Sequence, residues 1–159
     1  MNHLWTPWRK KYMQGPKIQN GCIFCSALEQ EDSEALIIHR GELAFVILNR
    51  YPYTNGHLMV VPYNHCDSLE VLDPGTRSEM MELISKAISV LRKVYDPQGF
   101  NLGGNIGEAA GAGVADHVHL HILPRWSGDT NFMTAIGDTR VIPETVDETW
   151  KKLTVSWKE

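Results

Sequence analysis

The stretch His117-Val118-His119-Leu120-His121-Ile122-Leu123 decides how this 159-residue chain is read. Side chains alternate across an extended strand, so the three imidazoles share one face and Val118, Leu120 and Ile122 share the other. One face can join an apolar core while the other stays available for chemistry. Taken alone, the stripe also fits a metal site or a solvated polar strand face. The residues just before it favour chemistry: Asn105 and the glycines at 107, 111 and 113 form a loop leading into the histidines. Glycine tolerates the φ angles that turn successive backbone N–H groups toward an anion, so such a loop can cradle a phosphate. Without the histidines it would read as an ordinary turn.

Imidazole suits phosphorus chemistry near neutral pH. The neutral ring is a nucleophile and its conjugate form donates a proton. An acceptor must hold one ring nitrogen so that the other keeps its lone pair. A second imidazole can then donate to a non-bridging phosphate oxygen, a contact that strengthens in the transition state.

Outward from this strand the pattern is α+β. Cys22 to Gln30 reads as a short helix. Leu36–His39 and Leu43–Leu48 read as strands around Arg40-Gly41, and His57–Val61 as a third strand closed by Pro62. Asp73-Pro74 opens one long helix, with Asp at the cap and Pro at the first position. Met80, Leu83, Ile84, Ala87, Ile88, Leu91 and Val94 keep helical spacing until Asp96-Pro97-Gln98-Gly99 stops it. Phe100–Ile106 begins another strand, and Val146–Val155 is a candidate terminal helix. The sum is a small antiparallel sheet of about five strands with one long and one short helix. Neither βαβ alternation nor a dinucleotide fingerprint occurs; Gly103-Gly104-Asn105-Ile106-Gly107 does not fit GxGxxG.

Composition is that of an ordinary single globular domain spanning residues 1–159, with 43% apolar and 21% charged residues. Residues 1–21 read as an N-terminal arm carrying Trp5 and Trp8, and 124–159 as a C-terminal extension. The net charge of −4 argues against broad nucleic-acid binding. With neither a membrane-length apolar run nor a leader pattern, a cytoplasmic protein without a membrane partner is expected. Three cysteines, two of them in Cys22-Ile23-Phe24-Cys25, fit a reducing compartment. The knuckle spacing lets two thiolates hold one tetrahedral ion. A redox pair would want a βαβ setting, and two inert buried thiols are the third option. Cys66 reads as a small apolar filler. His3, His39 and His57 default to surface or packing roles, and Trp150 and Trp157 to anchoring the C-terminal segment. Lys86, Arg92 and Lys93 read as the exposed face of the long helix. Arg125 could meet a distal phosphate or solvent, and Asp116 reads as a turn carboxylate at least as well as a catalytic one.

His117, His119, His121, Ile122 and Leu123, followed by Pro124-Arg125, resemble the histidine-triad (HIT) superfamily signature. Phe45-Val46-Ile47-Leu48-Asn49-Arg50 and Gly56-His57-Leu58-Met59-Val60-Val61-Pro62 resemble its paired strands. Leu4-Trp5-Thr6-Pro7-Trp8-Arg9 and the run from Pro124 to Met133 are similar to bacterial diadenosine tetraphosphate phosphorylases of that fold. The resemblance implies a homodimer whose two sheets join into one, acting on a nucleotide or dinucleoside polyphosphate with phosphate or water as acceptor. It implies His119 as nucleophile and His121 as the phosphate contact. Asn49 would meet the ribose, Asn105 and Gly113 the phosphate region, and Trp126 the base. Cys22, Cys25, His65 and His117 would hold Zn2+, a closed set that reads as structural. One departure stands out. Gly111-Ala112-Gly113-Val114-Ala115-Asp116 lacks the hydroxyl that many relatives place before the triad, so the Gly113 backbone would take over that phosphate contact.

Overall fold

A computed structural model describes residues 21–129 and 142–159. The N-terminal arm up to Asn20, with Trp5 and Trp8, and the run from Thr130 to Met133 lie outside the described residues. Two short helices, α1 (Ile23–Ala27) and α2 (Asp32–Ala35), precede three strands, β1 (Ile37–Arg40), β2 (Ala44–Leu48) and β3 (Leu58–Pro62). The long helix α3 (Pro74–Tyr95) follows, then β4 (Gly99–Gly103), β5 (Leu120–Arg125) and the terminal helix α4 (Val146–Lys158). The strands form one antiparallel sheet in the order β1-β2-β3-β5-β4.

Strand alternation gives the sheet two apolar faces. Ala44, Val46 and Leu48 of β2, Leu58 and Val60 of β3, and Val118 and Ile122 join the core under α3 and α4. Phe45, Ile47, Met59 and Val61 point the other way and pack with Phe24, Ala27 and Ala35 of α1 and α2. Because β2 and β3 are buried on both faces, they read as unbroken apolar runs and not as alternation. The long helix starts where the sequence places it. The Asp73 carboxylate accepts the Thr76 N–H at 3.0 Å, and Pro74 occupies the first turn. It ends at Asp96, which adopts the left-handed conformation with φ 44°. The terminal helix α4 is fixed by a capping box between Thr145 and Glu148. It docks through Trp150, whose indole N–H donates to the Ile37 carbonyl at 2.9 Å, and through buried Leu153 and Trp157. His39 stacks on Trp157 at 5.3 Å, and the Lys86 ammonium sits 5.0 Å from the same indole. Arg92 covers the Phe100 ring, and Lys93 pairs with Glu159. The cations of α3 therefore hold neighbouring elements as well as facing solvent.

Two expectations need correction. The short helix in Cys22–Gln30 covers only Ile23–Ala27, and a second short helix, Asp32–Ala35, follows the segment and is capped by Leu36, whose φ is 66°. The ladder of β5 begins at Leu120 and not at His117. Its neighbour β3 ends at Pro62, which has no N–H to donate, and the register stops at Val60↔Leu120. His117–His119 stay anchored by other bonds. The Val118 N–H donates to the Cys66 carbonyl at 2.7 Å, and the His117 ring takes the free Pro62 carbonyl at 3.0 Å.

Candidate active site and metal centre

The three imidazoles lie on the α1 side of the sheet, opposite Val118 and Ile122, as alternation requires. His119 is 5% exposed, with Nδ1 2.8 Å from the His117 carbonyl. A carbonyl only accepts, so Nδ1 carries the proton and Nε2 keeps its lone pair. Burial lowers the His119 pKa, partly opposed by that same bond, and keeps the ring neutral near pH 7. The ring is braced by Phe24 at 4.9 Å and His121 at 4.9 Å.

A fourth imidazole joins the row, contrary to the packing role expected for it. His57 is fully buried, and its Nε2 lies 2.8 Å from His121 Nδ1. The Tyr53 backbone N–H donates to His57 Nδ1 at 3.2 Å. A nitrogen that accepts cannot carry the proton of a neutral ring, so His57 is protonated on Nε2 and donates to His121 Nδ1. His121 then carries its own proton on Nε2, the nitrogen away from His57. Desolvation, reinforced by His121 and His119, pushes the His57 pKa down to about 3, so His57 stays neutral across neutral pH. In the sheet Met59 lies opposite His121, and His57 sits two residues before Met59 on the same face. The sequence carried this signal only in combination with the β3–β5 register.

Asn49 stands at the edge of this row. Its Nδ2 is 3.5 Å from His57 Nε2, and its Oδ1 accepts the Tyr51 N–H at 2.9 Å. Asn105 ties the glycine loop together, donating to the Gly111 carbonyl at 3.3 Å, while Gly113 lies exposed in that loop. Gly104 runs against the triad backbone: a Cβ there would come within 2.6 Å of the His119 carbonyl oxygen. Trp126 follows the end of β5, on the order of 20 Å along an extended chain from His119. Its indole N–H donates to the Tyr95 carbonyl at 3.2 Å. The Arg125 guanidinium forks onto Asp129 and also reaches Asn101 at 2.7 Å, so it is already engaged.

Cys22, Cys25, His65 and His117 converge behind the triad, with their ligand atoms all within 4.8 Å of one another. Cys22 Sγ is 3.2 Å from His117 Nδ1, Cys25 Sγ is 3.7 Å from the same nitrogen, and Cys25 Sγ is 3.4 Å from His65 Nδ1. Ligands on one tetrahedral zinc stand about 3.3–3.8 Å apart, given bonds of about 2.0–2.3 Å. The donor chemistry fits as well. His117 donates from Nε2 to Pro62, which leaves the Nδ1 lone pair facing the thiols. Asp116 lies 3.9 Å from His65 Nε2, the side away from the thiols. The four residues can hold a metal ion. His117 thus serves two sites: its ring turns to the cysteines and its carbonyl to His119.

Fold and site define a small α+β protein with a row of buried imidazoles on one sheet face and, beside it, two cysteines and two histidines that can hold a metal ion. A match to the family described as HIT domain spans residues 30–128. A Mycobacterium tuberculosis protein named AP-4-A phosphorylase is 39% identical over 165 aligned residues, covering 99% of this chain and 85% of that one. A zinc-bound histidine triad family protein from Mycobacterium smegmatis superposes with a TM-score of 0.70 at 27% identity, over 87% of this chain and 94% of that one. A hypothetical histidine triad nucleotide-binding protein from Sulfolobus tokodaii gives 0.69 at 28% identity, over 86% and 92%. The chain belongs to the HIT family.

Proposed function

We propose that this protein is a nucleotidyl transferase that cleaves dinucleoside polyphosphates of the diadenosine tetraphosphate type through a nucleotidyl-histidine at His119. The observation that carries the reading is the 2.8 Å bond from His119 Nδ1 to the His117 carbonyl, which leaves Nε2 free to attack. The similarity to AP-4-A phosphorylase over nearly the whole chain supports the substrate class. The His119 Nε2 lone pair forms the N–P bond at the α-phosphorus while the P–O bond to the departing nucleoside polyphosphate breaks. The His121 Nε2–H stabilises the developing charge. Inorganic phosphate or water then attacks the same phosphorus and releases His119.

Asn49 is assigned to the ribose, and Asn105 and Gly113 to the phosphates. Trp126 is assigned to the base, which requires the ligand to reach past the end of β5. The ion at Cys22, Cys25, His65 and His117 is zinc in this reading. When bound, it ties α1 to the triad segment and supplies no open coordination position to substrate. A homodimer is part of the proposal, and β4, one of the two outer strands of the sheet, is the edge assigned to joining two sheets. Leu102 and Ile106, at and just beyond that strand, are 46% and 47% exposed. The proposed setting is cytoplasmic, in keeping with three free cysteines.

Incubation with diadenosine tetraphosphate, with and without inorganic phosphate, tests the reading. ADP plus ATP appearing only with phosphate identifies a phosphorylase, and AMP plus ATP a hydrolase. The absence of turnover under both conditions rejects the proposal.

A further inference from the structure

We infer that Cys22 and Cys25 form an oxidation site for peroxide-class oxidants, and that closing it to an intrachain disulfide disturbs His119 through Phe24. The inference rests on the proposed transfer reaction in only one of its readouts.

Accessibility and proximity come first. Cys25 is partly exposed and Cys22 more buried, their sulfurs lie within 4.8 Å of each other, and the neighbouring His65 side chain is 45% exposed. Cys25 is therefore the thiol that a small oxidant reaches first. Cys22 and Cys25 are three residues apart across the start of α1, a spacing compatible with the Cα separation of about 4.4–6.8 Å that a disulfide needs. Cys66, the remaining cysteine, turns its Sγ to the Ser68 carbonyl at 3.6 Å.

Coupling comes from what lies between the sulfurs. Phe24 is 2% exposed, with its ring 5.4 Å from His117 and 4.9 Å from His119. A metal holds two thiolates about 3.5–4 Å apart, whereas a disulfide holds them at about 2.05 Å. Contracting the pair moves the backbone that carries Phe24, and a close-packed interior passes that shift to the nucleophile.

The chemistry balances with hydrogen peroxide as oxidant. One thiolate attacks a peroxide oxygen and breaks the O–O bond, giving a sulfenic acid and, after protonation, water. The second thiolate attacks that sulfur and expels hydroxide, which takes a proton to give the second water. The two sulfurs lose two electrons and the peroxide gains them. A zinc ion held by the pair leaves as Zn2+, and two protons from solvent complete the water.

The test treats the zinc-loaded full-length chain with hydrogen peroxide and reads three quantities. Intact mass should fall by the two hydrogens of one intrachain disulfide, and a chromophoric chelator should register one zinc per disulfide. The His119 ring signals in 15N-histidine NMR should shift in step. Where dinucleoside polyphosphate turnover is present, its rate should drop about 10- to 100-fold, the scale for disturbing a positioning shell. Reductant plus zinc should restore all readouts. Cys66→Ser should respond like the parent, and Cys25→Ser should form no intrachain disulfide. Oxygen added to cysteine without a disulfide, or a disulfide that leaves the His119 signals unmoved, overturns the inference. A reduced protein that turns over no dinucleoside polyphosphate defeats the proposed function instead, and the mass, zinc and NMR readouts still decide this one.

Discussion

His57 Nε2 lies 2.8 Å from His121 Nδ1, and the Tyr53 backbone N–H on the far side of His57 sets the direction of that bond. The proton that His121 offers in the proposed reaction is therefore selected two groups away. His57→Ala should lower kcat by about tenfold or more, short of the roughly 10²–10⁴-fold that a general acid itself supplies. KM should change little, because His57 acts through His121. Steady-state kinetics on diadenosine tetraphosphate checks this, and an effect confined to KM would place His57 in binding.

Buried histidines set the acid side of the pH profile. His57 and His119 both have folded pKa values below 6.5, through desolvation first. The unfolded chain therefore binds more protons below about pH 6.5, so stability falls as pH falls. The part owed to His57 is intact above pH 6.5 and is lost down to its folded value of about 3, at most roughly 4–5 kcal/mol. Denaturant midpoints between pH 7.5 and 4 should decrease steadily, and His57→Phe should flatten that slope if it folds. The transfer rate should also decline on the acid side, at a pH below 6.5, as His119 takes up its proton.

Metal removal should separate stability from chemistry. In the zinc-loaded protein, chelation takes away the proposed link between α1 and the triad segment, so Tm should drop by several degrees, about 2–4 °C per kcal/mol in a chain of this size. The His119 bond to the His117 carbonyl does not pass through an ion, and the His117 ring keeps its Pro62 partner. Turnover below the new Tm should therefore stay within about threefold, under 1 kcal/mol of barrier. Complete loss of activity in a still-folded protein would make the metal a participant in the reaction.

Gly104 offers a probe of triad geometry without touching an imidazole. A methyl at this position would come within 2.6 Å of the His119 carbonyl and 3.0 Å of Leu120 Cδ2. The first contact is backbone and has little room to yield, so Gly104→Ala should shift His119 and lower kcat by about tenfold, or roughly 1.4 kcal/mol of barrier. Unchanged kinetics would mean that the loop moves and the strand does not.

Much of this site was legible in the sequence because its signals are local. Alternation alone puts His117, His119 and His121 on one face, and Asp73-Pro74 marks the start of α3 to the residue. The Cys-x-x-Cys spacing, together with the family resemblance, brought Cys22, Cys25, His65 and His117 into one set, and the structure gathers them. What escaped depends on register and on backbone detail. His57 joins the site only because β3 pairs with β5 at Met59↔His121, which no single strand reveals. The short helix α2 and the left-handed Leu36 that leads into β1 carry no periodic signal, and four residues are too few to show one. The late start of β5 follows from Pro62, a residue 55 positions away from the ring that takes its carbonyl.

In the proposed reaction a neutral His119, held at Nδ1 by the His117 carbonyl, attacks phosphorus with Nε2. Acid-sparing digestion and mass mapping of the protein after a brief mix with diadenosine tetraphosphate tests it most directly. One nucleotidyl group is expected on the peptide containing residues 117–121, located at His119 and absent from His119→Ala. A nucleotidyl group on another residue, or turnover that persists in His119→Ala, would contradict it.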